Sequence, residues 1–283
     1  MEKVKLNNGI EMPVLGFGVM QIMGDECETA VLNAIEAGYR LFDTAELYGN
    51  EQAVGNAIKR SGIPREELFI ATKFGSKEAG YEKTIAAFQR SLEALQLDYI
   101  DLYLIHQPFG DIFGSWRAMQ YLYNEGKIKA IGVCNFLPDR LMDLIANSGF
   151  IPAVNQIEAH PYQQQIETQQ FLQDNGVQIE AWSPFAEGMN DIFNNEVLAA
   201  IAAKYNKTVA QVILRWLTQR GVVAIPKSGR KERMIENISI FDFRLSDEDI
   251  QRIQTLDTKQ SMYFDHRNPA IVKWMSEYGW LNS

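Results

Sequence analysis

Leu102-Tyr103-Leu104-Ile105-His106-Gln107 is an unbroken apolar run that ends in two polar side chains. Leu41-Phe42-Asp43 and Phe69-Ile70-Ala71-Thr72-Lys73 follow the same design upstream, and Ile131-Gly132-Val133-Cys134-Asn135 follows it downstream. Short, almost wholly apolar runs read as strands buried on both faces, which is the signature of a parallel sheet. Outward from this stretch, such segments lie at 17–20, 40–43, 68–74, 100–105, 128–134, 153–157, 177–182 and 222–225. Segments with helical spacing alternate with them at 29–36, 51–59, 84–95, 116–123, 137–146, 168–174, 208–219 and 246–256. Near the start, Asn7-Asn8-Gly9 between two short apolar-polar runs predicts a β-hairpin.

Two parallel architectures compete for this pattern. Gly16-Phe17-Gly18, with Asp43 further on, imitates part of the glycine fingerprint of a doubly wound dinucleotide fold. The fingerprint then fails, because Gln21 stands where its third glycine belongs. A closed barrel makes a different demand, that active groups gather at the carboxyl ends of many strands. Those ends carry Asp43, Lys73, His106, Asn135, Gln156, Trp182-Ser183 and Lys227-Ser228. No Pro/Gly-rich linker divides the chain. The sequence therefore predicts an α/β protein with one domain over 1–283, a (β/α)8 TIM barrel with an N-terminal β-hairpin.

Composition narrows the function. The chain has 283 residues, 46% hydrophobic and 22% charged, as ordinary globular proteins have. Its net charge of −9 argues against nucleic acid or an anionic membrane as the main partner. Cys27 and Cys134 are too few for a disulfide framework and suit a reducing compartment. No apolar signal core follows Met1-Glu2-Lys3-Val4-Lys5, and no run approaches the roughly 20 apolar residues that span a bilayer. The expectation is a cytoplasmic protein acting on a small molecule, with no obligate protein partner evident.

The polar strand ends form a coherent chemical set. A tyrosine, Tyr48, follows Asp43 in the next loop. To give up a proton near neutral pH, a phenol needs its pKa lowered, and a nearby ammonium does that. Lys73 can supply the ammonium if Asp43 holds it charged, and His106 can donate a hydrogen bond to a substrate oxygen. The set has no strong nucleophile and no metal cluster, so hydride transfer from a cofactor is its natural partner step. Cys134, after an apolar strand, reads as a small buried side chain. The basic run Lys227-Ser228-Gly229-Arg230-Lys231-Glu232-Arg233 leads into a short helix and suits the 2′-phosphate of NADPH. Trp182 ends a strand, where an indole can stack against a nicotinamide ring or pack into the core.

At these residues the chain resembles the aldo-keto reductases. Gly38-Tyr39-Arg40-Leu41-Phe42-Asp43-Thr44-Ala45 with Tyr48, Glu51 and Gly55 looks like the family's first signature. Ile131-Gly132-Val133-Cys134-Asn135-Phe136 looks like its second, and Ile225-Pro226-Lys227-Ser228 with Arg233, Glu236 and Asn237 like its third. The resemblance implies an NADPH-dependent carbonyl reductase with a catalytic tetrad of Asp43, Tyr48, Lys73 and His106. It implies that Asn135 and Gln156 hold the nicotinamide carboxamide, that Trp182 stacks on the ring and that Ser183 lies along the cofactor path. Lys227, Ser228 and Arg233 would bind the 2′-phosphate and Asn237 the adenine. Gly18, Met20, Asp43, Cys134 and Glu236 complete the implied cofactor contacts, and Met20, Tyr48, His106 and Gln107 the substrate contacts.

The chain also departs from the family pattern. Many relatives carry serine where Cys134 stands, which weakens a cofactor hydrogen bond. Met20, Gly75 and Gln107 replace tryptophans of eukaryotic reductases, and the tail 262–269 resembles bacterial members with short substrate loops, similar to 2,5-diketo-D-gluconic acid reductases. Small or polar carbonyls are therefore expected over large lipophilic ones. A non-catalytic cofactor-binding regulatory subunit is the alternative on the same fold.

Overall fold

The computed structural model describes residues 1–278. Strands β1 (Lys3–Lys5) and β2 (Glu11–Pro13) pair antiparallel as the expected hairpin. Gly9, at φ 88°, takes the left-handed turn that glycine adopts without steric cost. Asn8 donates to the Lys129 carbonyl and Asn7 to that of Pro152, which fixes the hairpin across the amino ends of the barrel strands.

The barrel strands are β3 (Phe17–Gly18), β4 (Leu41–Asp43), β5 (Phe69–Phe74), β6 (Ile100–Ile105), β7 (Ile128–Cys134), β8 (Val154–Glu158), β9 (Gln178–Trp182) and β10 (Val223–Ala224). They lie in chain order, each parallel to the next. The sheet closes on itself: Gly16 N–H donates to the Ala224 carbonyl at 2.8 Å and Ala224 N–H to that of Val14 at 3.0 Å. Each expected strand is present. The first and last are only two residues long, because near the seam the ladder is carried by isolated bonds such as Leu15 with Ala224.

Around the barrel run α1 (Gly24–Ala37), α2 (Glu51–Ser61), α3 (Tyr81–Leu95), α4 (Ile112–Asn124), α5 (Pro138–Ser148), α6 (Ile166–Asp174), α7 (Glu196–Tyr205), α8 (Val209–Gln219), α9 (Lys231–Ile238), α10 (Asp247–Gln254) and α11 (Pro269–Tyr278). Strand alternation sorts the core into two layers. Leu102 and Leu104 of β6 pack inside the barrel with Met12 of the hairpin, whereas Tyr103 and Ile105 pack outward against the helices. A Cβ at Gly55 would lie 2.4 Å from the Leu95 carbonyl oxygen, so glycine lets α2 approach the end of α3.

Two helices were not expected from the sequence. The stretch Val197-Leu198-Ala199-Ala200-Ile201-Ala202-Ala203 is apolar nearly throughout and hides its periodicity. Its start is nonetheless encoded, as the Asn195 side chain accepts from Val197 N–H and Leu198 N–H. The other, α11, begins at Pro269, a residue suited to the first helical turn. No helix among the described residues is long and apolar enough to cross a membrane.

Candidate active site

Lys73 is fully buried at the carboxyl end of β5, an arrangement tolerable only with charge compensation. Its ammonium donates to Asp43 Oδ1 at 2.6 Å and to the Thr44 carbonyl at 2.8 Å. Adjacent strands make this possible, since β4 pairs with β5 with Asp43 opposite Ala71, two residues short of Lys73. Burial disfavours the charged form of Lys73, but the opposing charges around it, Asp43 foremost, outweigh burial and hold the group an ammonium. Asp43 thus serves as the ion-pair partner of Lys73.

Tyr48 reaches the same place from the loop after β4, where a single helical turn over Glu46–Tyr48 ends at left-handed Gly49. The Lys73 ammonium lies 5.0 Å from the centroid of its ring, and the His106 ring meets it edge-on at 5.8 Å. The sequence led us to expect a phenol more acidic than usual. Instead burial pushes Tyr48 up to about 12, with the Lys73 charge pulling the other way. The reason is the depth of the site: taking a phenolate out of water costs more than one paired lysine returns. Burial, then the Lys73 charge, drives His106 well below the usual histidine range, so it is a neutral imidazole.

An amide network surrounds the pair. Gln156 Nε2 donates to Asp43 Oδ2 at 2.9 Å. Asn135, at a left-handed φ of 63° that asparagine tolerates, donates to the His106 carbonyl at 3.2 Å and accepts from Trp182 Nε1 at 2.9 Å. Cys134 is buried, with Sγ 3.9 Å from Gln156 Oε1, and burial raises its thiol far above the usual range.

These groups floor and wall one cleft. Gly18, Met20, Asp43, Tyr48, His106 and Gln107 line it, as do Asn135, Gln156, Trp182, Ser183 and Lys227. Lys73 and Cys134 lie beneath the lining. Lys227 is exposed and donates to Gln21 Oε1 at 2.8 Å. From it the chain leads to buried Ser228, exposed Arg233 and buried Asn237 at and along α9, outside the cleft itself. Glu236 there accepts from the Thr208 hydroxyl at 2.8 Å. Gly75 is displaced from the wall, because Leu47 fills the space where its side chain would stand, 2.8 Å from an added Cβ.

Sequence reasoning missed part of the wall. Tyr263, Phe264 and His266 from the tail line the cleft, together with Phe185 and Glu187 from the loop after β9. The tail is anchored by Glu158, which accepts from the Ser261 hydroxyl at 2.5 Å and from Met262 N–H at 2.9 Å. Tyr263 then meets Trp182 edge-on at 4.9 Å and hydrogen-bonds Ser183 through its hydroxyl. His266 Nε2 lies 3.0 Å from Gln107 Oε1. The resemblance of the tail to short substrate loops was the available signal, but it named none of these side chains.

The buried Asp43–Lys73 pair and the Tyr48–His106 edge meet at the floor of one cleft at the carboxyl end of the barrel. The chain belongs to the aldo/keto reductase family, whose pattern matches residues 14–258. It is 52% identical over 258 residues to the glyoxal reductase of Bacillus subtilis (strain 168), covering 90% of this chain and 93% of that protein. The crystal structure of MGS-M4, an aldo-keto reductase from a Medee basin deep-sea metagenome library, superposes with a TM-score of 0.92 at 45% identity, covering 94% and 98% of the two chains. A Bombyx mori aldo-keto reductase in complex with NADP superposes at 0.88 with 34% identity, covering 96% of each chain. The protein is an oxidoreductase acting on carbonyl groups.

The ion pair generates a stability prediction. Lys73→Met leaves Asp43 buried without its cation and is expected to cost about 3–5 kcal/mol in chemical denaturation. Adding Asp43→Asn should restore part of that loss. A double variant no more stable than Lys73→Met would show that the cost lies in packing and not in the uncompensated charge.

Proposed function

We propose that the chain acts as one barrel domain over 1–283 that reduces aldehyde or ketone groups on small, polar molecules with NADPH, in the reducing cytosol that its two free, buried cysteines suit. The observation that carries this reading is the meeting of Tyr48, His106 and the Lys73–Asp43 pair at the floor of a single cleft. The chain fits the cofactor. Gln156 keeps its Oε1 as a hydrogen-bond acceptor and Asn135 offers a second amide, which suits a carboxamide. Trp182 offers a flat face for the nicotinamide. Lys227, Ser228 and Arg233 supply cationic and hydroxyl groups for a 2′-phosphate, with Asn237 available to the adenine. The complex of the Bombyx mori relative with NADP supports the same cofactor.

When bound, NADPH supplies the hydride for the carbonyl carbon. Tyr48 delivers a proton to the carbonyl oxygen from its hydroxyl. The high pKa set by burial keeps Tyr48 protonated and ready as an acid across the neutral range. Lys73 stabilises the phenolate left behind, and Asp43 keeps Lys73 charged throughout. Neutral His106 orients the substrate by donating a hydrogen bond to its oxygen. Gln107, held by His266, gives this pocket an amide where an aromatic wall would favour larger apolar substrates. The glyoxal reductase relative supports a small, oxygen-rich substrate.

Removing only the Tyr48 hydroxyl is the direct test. Tyr48→Phe should lose at least about a hundredfold in kcat, the lower end of what general acid catalysis supplies, while still binding NADPH by fluorescence. A folded Tyr48→Phe enzyme with near-normal kcat would refute the proton-donor role. Arg233→Ala should weaken NADPH by about tenfold to a hundredfold, the worth of one charged contact, and hardly change NADH. Equal losses for both cofactors would remove Arg233 from the phosphate site. On a panel of aldehydes, diketones, hydroxy-ketones and steroid ketones, the small polar carbonyls should show the highest kcat/KM. A steroid as best substrate would contradict the pocket assignment.

A further inference from the structure

One buried titratable group has no part in the mechanism above. Glu180, in the middle of β9, is fully enclosed within the barrel. The strand register sets it beside Gln156 of β8 and Val223 of β10. Its Oε2 accepts from Gln156 Nε2 at 2.9 Å, while its Oε1 has no hydrogen-bond partner among the described residues. The same Gln156 Nε2 donates at 2.9 Å to Asp43 Oδ2, and Asp43 grips Lys73. An amide nitrogen carries two hydrogens, so both are committed to carboxyl groups. Turning the amide over would set its oxygen against the Asp43 carboxylate, so Gln156 has only its Oε1 left for a ligand.

The charges around Glu180 favour its neutral form. Asp43 on β4, Lys73 on β5 and the Cys134 thiol on β7 are the titratable groups that act on it or respond to it. Glu158, further along β8, is tied to Ser261 and the Met262 backbone. Lys73 is the only cation in this set, and its hydrogen bonds go to Asp43 and Thr44. An ionised Glu180 would set one neutral amide N–H against the whole cost of leaving water. We infer that Glu180 is a positioning residue that locks the Gln156 amide so that its oxygen, which takes only a long bond from the Cys134 thiol, can accept from the cofactor, and that sets the net charge beneath Tyr48. Burial, and then the Asp43 charge, push its carboxyl up to about 8, so it is a neutral acid at pH 7 and gains a charge in mild alkali. That second negative charge would make Tyr48 a weaker acid.

The kinetic half of this inference rests on Tyr48 as proton donor; the thermal half does not. Folded Glu180 titrates at about 8, against about 4.5 for an ordinary glutamate. The folded state therefore holds the extra proton between those values, and stability is lost as pH rises through that window and no further above it. Glu180→Gln removes this behaviour. In the cofactor-free protein, the melting temperature of Glu180→Gln relative to wild type should climb from pH 5 to pH 8 and then level off. Superimposable pH courses overturn the inference whatever Tyr48 does. With NADPH and an aldehyde, the ratio of kcat at pH 9 to kcat at pH 6.5 should be about tenfold higher in Glu180→Gln than in wild type, as the removal of one like charge implies. An unchanged ratio, with Tyr48→Phe inactive, overturns the inference and leaves the Tyr48 role standing. If Glu180→Gln does not fold, Glu180→Met, apolar and of the same length, serves for both measurements.

Discussion

Lys73 Nζ lies 2.6 Å from Asp43 Oδ1 with both side chains withdrawn from water, and the polar groups around them are arranged by that pair. Either charge alone in the barrel would cost several kcal/mol, and their attraction offsets this only with good geometry and further hydrogen bonds. The Thr44 carbonyl and Gln156 Nε2 supply those bonds. The pair also constrains the backbone. Asp43 and Lys73 meet because β4 and β5 run parallel in one register, and a slip of one residue would turn Lys73 toward the helices.

The same dryness sets the acid–base character of the groups above the pair. Tyr48 and His106 are both enclosed, and burial moves them in opposite directions, because it penalises whichever form carries charge. The phenol keeps its proton more firmly than in water, and the imidazole stays neutral. One physical cause thus produces a reserve of protons in Tyr48 and an uncharged hydrogen-bonding group in His106. Asn135 links them to the Trp182 side of the cleft by bonding both the His106 carbonyl and the Trp182 indole.

The wall of the cleft is assembled from parts far apart in the chain. Glu158, at the end of β8, fastens the tail through Ser261 and Met262, and the tail then lays Tyr263, Phe264 and His266 along the cleft. The loop after β9 adds its own wall, with left-handed backbone at Glu187, Gly188, Asn190 and Asp191. Leu47 fills the space beside Gly75. The pocket that results is bounded on one side by a histidine–glutamine pair, His266 with Gln107.

The sequence by itself determined the barrel and most of its floor. Strands buried on both faces are nearly pure apolar runs, so β6 and β7 were legible to the residue, and His106 and Asn135 at their ends, with Lys73 near the end of β5, stood out against that background. Helix α7 was lost to the same logic, since a helix apolar on most sides shows no period. Only the tertiary structure decided what depends on neighbours distant in the chain. Gln178-Ile179-Glu180-Ala181-Trp182 does not say that Glu180 faces the barrel interior, nor that its amide neighbour also holds Asp43. The basicity of Tyr48 and the approach of His266 to Gln107 were equally hidden. Local spacing encodes which residues turn away from water, but burial depth and the identity of facing charges are set by closure of the sheet and return of the tail. Those two properties fix the energy of a proton.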